Sequence, residues 1–232
     1  MAIDFDNVAH TKYDGSVSSI NWPHTVGSGT NRLLLIAIAF APTTVSVSSV
    51  TVGSQSATFL RADSNSTWAR GEIWYLLNPT SGSQTITVNF SNNVSGCACG
   101  SCSYSGVAQT GTFDTSAAKT AFSATPNVDI TLAGSSECVF IHSCWIANRT
   151  VSSHDSGQTH RYYEWSGNTY NVSCDGDDKS ESSSGAKNYQ ITISSTWFWV
   201  CQAVAFNPSP AHLLTVNSTP VQGIPFLIEN LS

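Results

Sequence analysis

Charge is what this 232-residue sequence has least of. Asp, Glu, Lys and Arg make up 10% of it, against about 25% in an ordinary soluble domain. Nine basic residues face fifteen acidic ones, for a net charge of −6, and the basic residues nowhere cluster. A nucleic-acid partner needs a basic footprint to neutralise phosphates, so that class is excluded. Long apolar runs are missing too. The longest, Leu33 to Pro42, is roughly half of what a membrane-spanning helix requires. No twelve-residue amphipathic helical pattern occurs. The opening "MAIDFDN" is acidic and lacks a hydrophobic signal region, so the expectation is that export does not use that route or that the signal lies outside this chain.

The sequence is rich instead in Ser, Thr, Asn, Gly and aromatics. Hydrophobic residues are 41%, with seven Trp, seven Tyr and ten Phe, enough for a sizeable core. Plentiful β-branched and aromatic residues favour strands over helices. Period-two patterns bounded by turn residues predict strands at 17–22, 32–40, 45–52, 56–61, 70–77, 83–90, 97–105, 128–133, 137–147, 158–165, 187–194 and 197–206. In 83–90, Ile86, Val88 and Phe90 share one face while Thr85, Thr87 and Asn89 share the other, the signature of a sheet wet on one side.

Two strands break that alternation. In 32–40, Leu33, Leu35 and Ala37 oppose Leu34, Ile36, Ile38 and Phe40; in 197–206, Trp197, Trp199, Cys201, Ala203 and Ala205 oppose Phe198, Val200, Val204 and Phe206. Strands apolar on both faces are central and covered twice; the second cover is expected to be a long loop, a small helix or another subunit. Residues 114–123 are the candidate short helix. The expected fold is all-β, a two-sheet antiparallel β-sandwich of jelly-roll type spanning 1–208, with a C-terminal extension over 209–232. In that tail Leu214, Val216, Ile224, Phe226 and Ile228 alternate with polar residues, and three prolines demote any central strand. The tail closes its own sheet, begins a further module, or pairs with a neighbouring molecule by strand addition.

At the entry to the first covered strand, Gly27 and Gly29 permit a tight or left-handed turn. Asn31 can bond its own backbone, and Arg32 offers five donors for loop carbonyls or a carboxylate. The stretches "INWPHTVGSGTNRLLLIAIAF", "SSVTVGSQSATFL", "GEIWYLLNPTSGSQTITVNFS", "CSYSGVAQT" and "WVCQAVAFNP" together resemble a diverse β-sandwich family of tailed-phage structural proteins and secreted or metagenomic surface proteins. The resemblance covers about residues 17–208. It implies display on a virion or cell surface and carries over no catalytic residues.

Seven cysteines, at 97, 99, 102, 138, 144, 174 and 201, suggest an oxidising compartment. Cys97 and Cys99 share a strand face about 6–7 Å apart, so disulfides to 138, 144, 174 or 201 are the first reading. Buried free thiols and a zinc site completed by Cys138, Cys144 or His142 are the alternatives. Asn65, Asn89, Asn93, Asn148, Asn171, Asn217 and Asn230 begin Asn-x-Ser/Thr triplets, open to glycosylation if exported or fortuitous in so Ser/Thr-rich a chain.

Glu72, Glu137 and Glu164 are strand-borne acids that nothing pairs for glycoside hydrolysis, and are expected at the surface. Histidines at 10, 24, 142, 154, 160 and 212 accompany many serines, but no nucleophile elbow exposes one. "CDGDDKSE" gathers Asp175, Asp177, Asp178 and Glu181 in what reads as one loop, either a solvated turn or a structural calcium site. Trp68, Tyr162, Tyr163, Trp165 and Tyr170 are candidate glycan contacts, with a core role as the alternative. The functional expectation is a non-enzymatic structural protein of an extracellular assembly, on a virion or in a surface filament, that self-associates; the alternative is a carbohydrate-binding or adhesive module.

Overall fold

The computed structural model describes residues 2–65, 69–134, 137–167 and 169–210. The called tail residues Leu214, Val216, Ile224, Phe226 and Ile228, with Trp68, His212, Asn217 and Asn230, lie outside them. Fifteen strands run in order: β1 (Asp4–Val26), β2 (Leu33–Ala41), β3 (Val47–Val52), β4 (Gln55–Ser56), β5 (Thr58–Asn65), β6 (Ala69–Leu77), β7 (Gly82–Ser105), β8 (Phe113–Ser123), β9 (Asn127–Leu132), β10 (Cys138–Ile146), β11 (Val151–His154), β12 (Thr159–Trp165), β13 (Val172–Ser180), β14 (Gly185–Ile193) and β15 (Trp197–Phe206).

They form three antiparallel sheets. The largest has the order β4-β3-β7-β2-β6-β5, with β1 paired to β7; the second is β12-β13-β10-β15-β8; the third is β11-β14-β9. All named pairings are antiparallel. The all-β antiparallel reading holds, but the two-sheet layout becomes three sheets.

Both doubly apolar strands are central and sealed. β2 lies between β6 and β7, and residues 33–40 have no exposed surface. Each such aliphatic side chain contributes about 1.5–3 kcal/mol by leaving water. Leu33, Leu35, Ala37 and Ala39 meet Phe140, Val200, Val204 and Phe206 of the second sheet. Leu34, Ile36, Ile38 and Phe40 meet Ile20, Trp22, Val50, Val52, Ile86 and Val88. The second cover of β2 is therefore its own sheet.

The cause is the length of β1 and β7. One half of β7 pairs with β2, while its other half pairs with β3, and β1 follows both halves. Register shifts around Val17 bend the pair, as bulges do. What reads in sequence as two strands, 83–90 and 97–105, is thus one. β15 is sealed differently: Val200, Val204 and Phe206 face the largest sheet, while Trp199, Cys201, Ala203 and Ala205 face Val128, Ile130, Tyr189, Ile191 and Ile193 of the third. Among the described residues β1 pairs only with β7, and a strand at such an edge tolerates Pro23.

Several expectations are corrected. Residues 114–123 form most of β8, an edge strand paired with β15, not a helix. All seven cysteines, Cys97, Cys99, Cys102, Cys138, Cys144, Cys174 and Cys201, are free and buried, so the disulfide framework is overturned. Cys97 and Cys99 line one core, Cys102, Cys138, Cys144 and Cys174 a second, and Cys201 a third. Burial pushes the thiols of Cys99, Cys102, Cys138, Cys144, Cys174 and Cys201 upward, which leaves them inert small hydrophobes.

Candidate metal centre

The segment 174–181, expected as one loop, lies in β13 up to Ser180, and β13 is flanked by β10 and β12 in the second sheet. Alternation puts Asp175 and Asp177 on one face and Cys174, Gly176 and Asp178 on the other. That splits the expected calcium set. Asp178 receives two bonds from the Arg161 guanidinium, both 2.8 Å, and one from the Tyr104 hydroxyl at 3.0 Å. Glu181 pairs with Lys187 at 3.0 Å and receives the Tyr189 hydroxyl at 3.1 Å. Neither joins Asp175 and Asp177.

Two histidines join them instead. His154 ends β11 in the third sheet, and His160 lies on β12 in the second. The intervening chain turns at Gly157 (φ +82°), a left-handed position suited to glycine, and crosses from one sheet to the other. Gln158 secures the crossing: its Nε2 donates to Asp177 Oδ2 at 3.0 Å, and its Oε1 accepts from Gln190 N at 3.1 Å. His154 Nδ1 lies 2.9 Å from Asp177 Oδ1 and 3.8 Å from Asp175 Oδ2. His160 Nδ1 lies 3.3 Å from Asp175 Oδ1 and 3.6 Å from Asp177 Oδ1.

One donor atom from each of the four residues lies within 4.8 Å of every other. This is a cluster able to coordinate a divalent cation. Both aspartates are 1% exposed and the histidine side chains 23% and 42%. Neither Asp175 Oδ1 nor Asp177 Oδ1 has a hydrogen bond of acceptable geometry, although both are buried. Buried carboxylate oxygens are costly unless a cation faces them, and here that cation is a protonated imidazole or a bound metal ion.

The electrostatics follow from this crowding. The Asp175 and Asp177 carboxylates beside it raise the His160 imidazole to about 10, and Asp177 raises that of His154. Burial lifts the Asp175 carboxyl above its ordinary value. For Asp177 burial pushes upward as well, but the two histidines outweigh it and hold that carboxyl low. Sequence reasoning missed the pairing because His154 and His160 come from different sheets. The D-x-D spacing was the available signal, had 172–180 been read as a strand.

The remaining predicted residues scatter. Arg32 donates to the carbonyls of Pro79 (2.8 Å) and Gly29 (2.7 Å). Asn31 has φ 54° and bonds Ser209 Oγ, so the left-handed position at this entry belongs to it. Gly27 and Gly29 instead admit the side chains of Asp6 and Ser105 at close range. Of the expected surface acids, Glu72 and Glu137 are buried. Glu72 accepts from Arg70 (2.8 Å), Trp74 Nε1 (3.1 Å) and Val47 N (3.2 Å). Glu164 pairs at the surface with His10 and Lys12.

Tyr162 is 2% exposed and is core, which removes it from the glycan contacts. Tyr163 and Trp165 are half-buried and Tyr170 is exposed. Among the sequon asparagines, Asn65 bonds the carbonyls of Ala121 and Trp199, and Asn89 bonds Ser49 Oγ. Asn93 bonds Ser16 Oγ, Asn171 accepts from Trp165 Nε1, and Asn148 is exposed.

A serine–histidine–acid chain does exist. His24 Nδ1 lies 2.8 Å from Ser101 Oγ, His24 Nε2 lies 3.0 Å from Ser103 Oγ, and Ser103 Oγ donates to Asp6 Oδ2 at 2.7 Å. His24, Ser101 and Ser103 are all buried, and the acid reaches the imidazole only through a second serine. Trp22 Nε1 also donates to Ser101 Oγ. The arrangement pins β1 to β7 and offers a substrate no entry. Compared with known proteins, the chain matches no family model, no curated protein and no solved structure.

Proposed function

We propose that this chain is a non-enzymatic structural β-protein of an extracellular assembly, on a virion or a cell surface, whose sheets are fastened together by a divalent cation. One observation carries the reading: two histidines from two sheets converge onto two buried aspartates, making a cluster of four metal-capable side chains. A cation there would link β11 of the third sheet to β12 and β13 of the second. The strand-entry motif at 24–40 and its resemblance to phage and surface β-sandwich proteins support placement in such an assembly. The sealing of the His24–Ser101 chain supports a role without catalysis.

A second reading, carbohydrate binding, rests on a hollow of about 440 Å³ lined by Asn148, Arg149, Tyr170, Asn171 and Trp197. There the Arg149 guanidinium lies 5.3 Å from the Trp197 ring centroid, and aromatic and amide groups of this kind suit sugars. The experiment is thermal unfolding with divalent cations and then with chelator, alongside size analysis over a range of concentrations. A chelator-sensitive melting temperature and concentration-dependent particles are expected. An unchanged melting temperature overturns the cation link, and a monomer at every concentration overturns assembly.

A further inference from the structure

We propose that His154, His160, Asp175 and Asp177 hold one zinc-class transition ion, bound through both imidazole Nδ1 atoms and one oxygen of each aspartate, in preference to calcium or magnesium. This rests on the cation-link reading and names its ion.

The donor set decides the class. Two imidazole nitrogens with two carboxylate oxygens suit zinc and its late first-row neighbours. Calcium takes six to eight oxygens, and magnesium an octahedron of oxygens rich in water. Here imidazoles fill two of the four positions. The spacing agrees with a four-coordinate ion. Bonds of about 2.0–2.1 Å place tetrahedral donors roughly 3.3–3.4 Å apart. For the set built on Asp177 Oδ1 and Asp175 Oδ1, the separations of 2.9 Å (His154–Asp177), 3.6 Å (His160–Asp177) and 3.3 Å (His160–Asp175) bracket that value.

An independent observation points the same way. Asp175 Oδ1 and Asp177 Oδ1 are buried, meet no hydrogen-bond donor in good geometry, and have the His160 and His154 Nδ1 atoms 3.3 and 2.9 Å away. The other oxygen of Asp177 accepts from Gln158 Nε2 at 3.0 Å. An outer amide bond such as that from Gln158 orients a metal-binding carboxylate. The partial exposure of His154 and His160 gives an ion a way in from solvent.

The test uses the untagged full chain, stripped with chelator and titrated with cobalt(II). One equivalent is expected to give a visible absorption spectrum that zinc bleaches. Zinc or cobalt should raise the melting temperature while calcium and magnesium leave it in place. Replacing both histidines by alanine should weaken cobalt binding at least about tenfold, by analogy with lost metal-site groups. His160→Ala alone, at the more exposed position, serves where the double variant fails to fold. A melting temperature raised by calcium with no cobalt spectrum overturns the ion class and leaves the link standing. No response to any cation overturns both. A zinc-sensitive spectrum that survives the histidine changes overturns the site.

Discussion

Tyr162 shows how single residues set the distance between sheets. Its ring is buried between Gly100 of β7 and Gly176 of β13, and its hydroxyl lies 3.3 Å from His142 Nδ1. A Cβ added at either glycine would overlap the ring. No rotamer change frees it, since the tyrosine is enclosed by both sheets. Gly176→Ala and Gly100→Ala are each expected to cost about 1–3 kcal/mol or more, the usual penalty of overpacking. Denaturant midpoints check this, and Tyr162→Leu should relieve part of the cost when combined with either change. A neutral Gly100→Ala would mean the two sheets are not held this closely. None of this is visible in the sequence, where Tyr162 sits in "RYYEW" beside Tyr163 and looks equally suited to solvent.

Among the elements, β2 and β15 were legible from residue order alone. An apolar residue at every position of 33–40 leaves no wet face, so the strand must be covered twice. Amide exchange should therefore be slowest at 33–40 and 197–206, near the limit set by global unfolding. The short strand β4 and the edges β5 and β8 should exchange faster. Fast exchange in either central strand would contradict the layering. β13 escaped detection for the opposite reason. "VSCDGDDKS" has almost no apolar residues, and periodicity reports burial only where hydrophobic side chains mark it. Its acids are buried because Arg161, Tyr104 and the two histidines meet them, and those partners are set by strand pairing. β8 carries no clear period of two in its sequence, because its residues are mostly small and polar, as befits a strand at a sheet edge.

Taken whole, the molecule stacks a curled seven-stranded sheet, a five-stranded sheet and a three-stranded sheet around three cores. Histidines inside such cores make global stability depend on pH. Burial lowers His24 from 6.5 to about 4, against a smaller opposing pull from Asp6. The unfolded chain then binds the proton that the folded chain refuses. Stability is thus fully present above about pH 6.5 and falls as pH drops toward 4, by roughly 3 kcal/mol from this group. Urea midpoints at pH 7 and pH 4.5 measure the slope, and His24→Gln should flatten it. A wild-type slope unchanged by that substitution would assign the loss to other groups.

Residue order alone was enough for the all-β class and the two sealed strands, because each depends only on side-chain type and spacing along one strand. The tertiary structure alone decided three further things: the cysteines stay apart as free thiols, β2 is covered by its own sheet, and His154 and His160 meet Asp175 and Asp177. Each depends on which strands become neighbours and in what register, and residues far apart in the chain carry no local mark of that meeting.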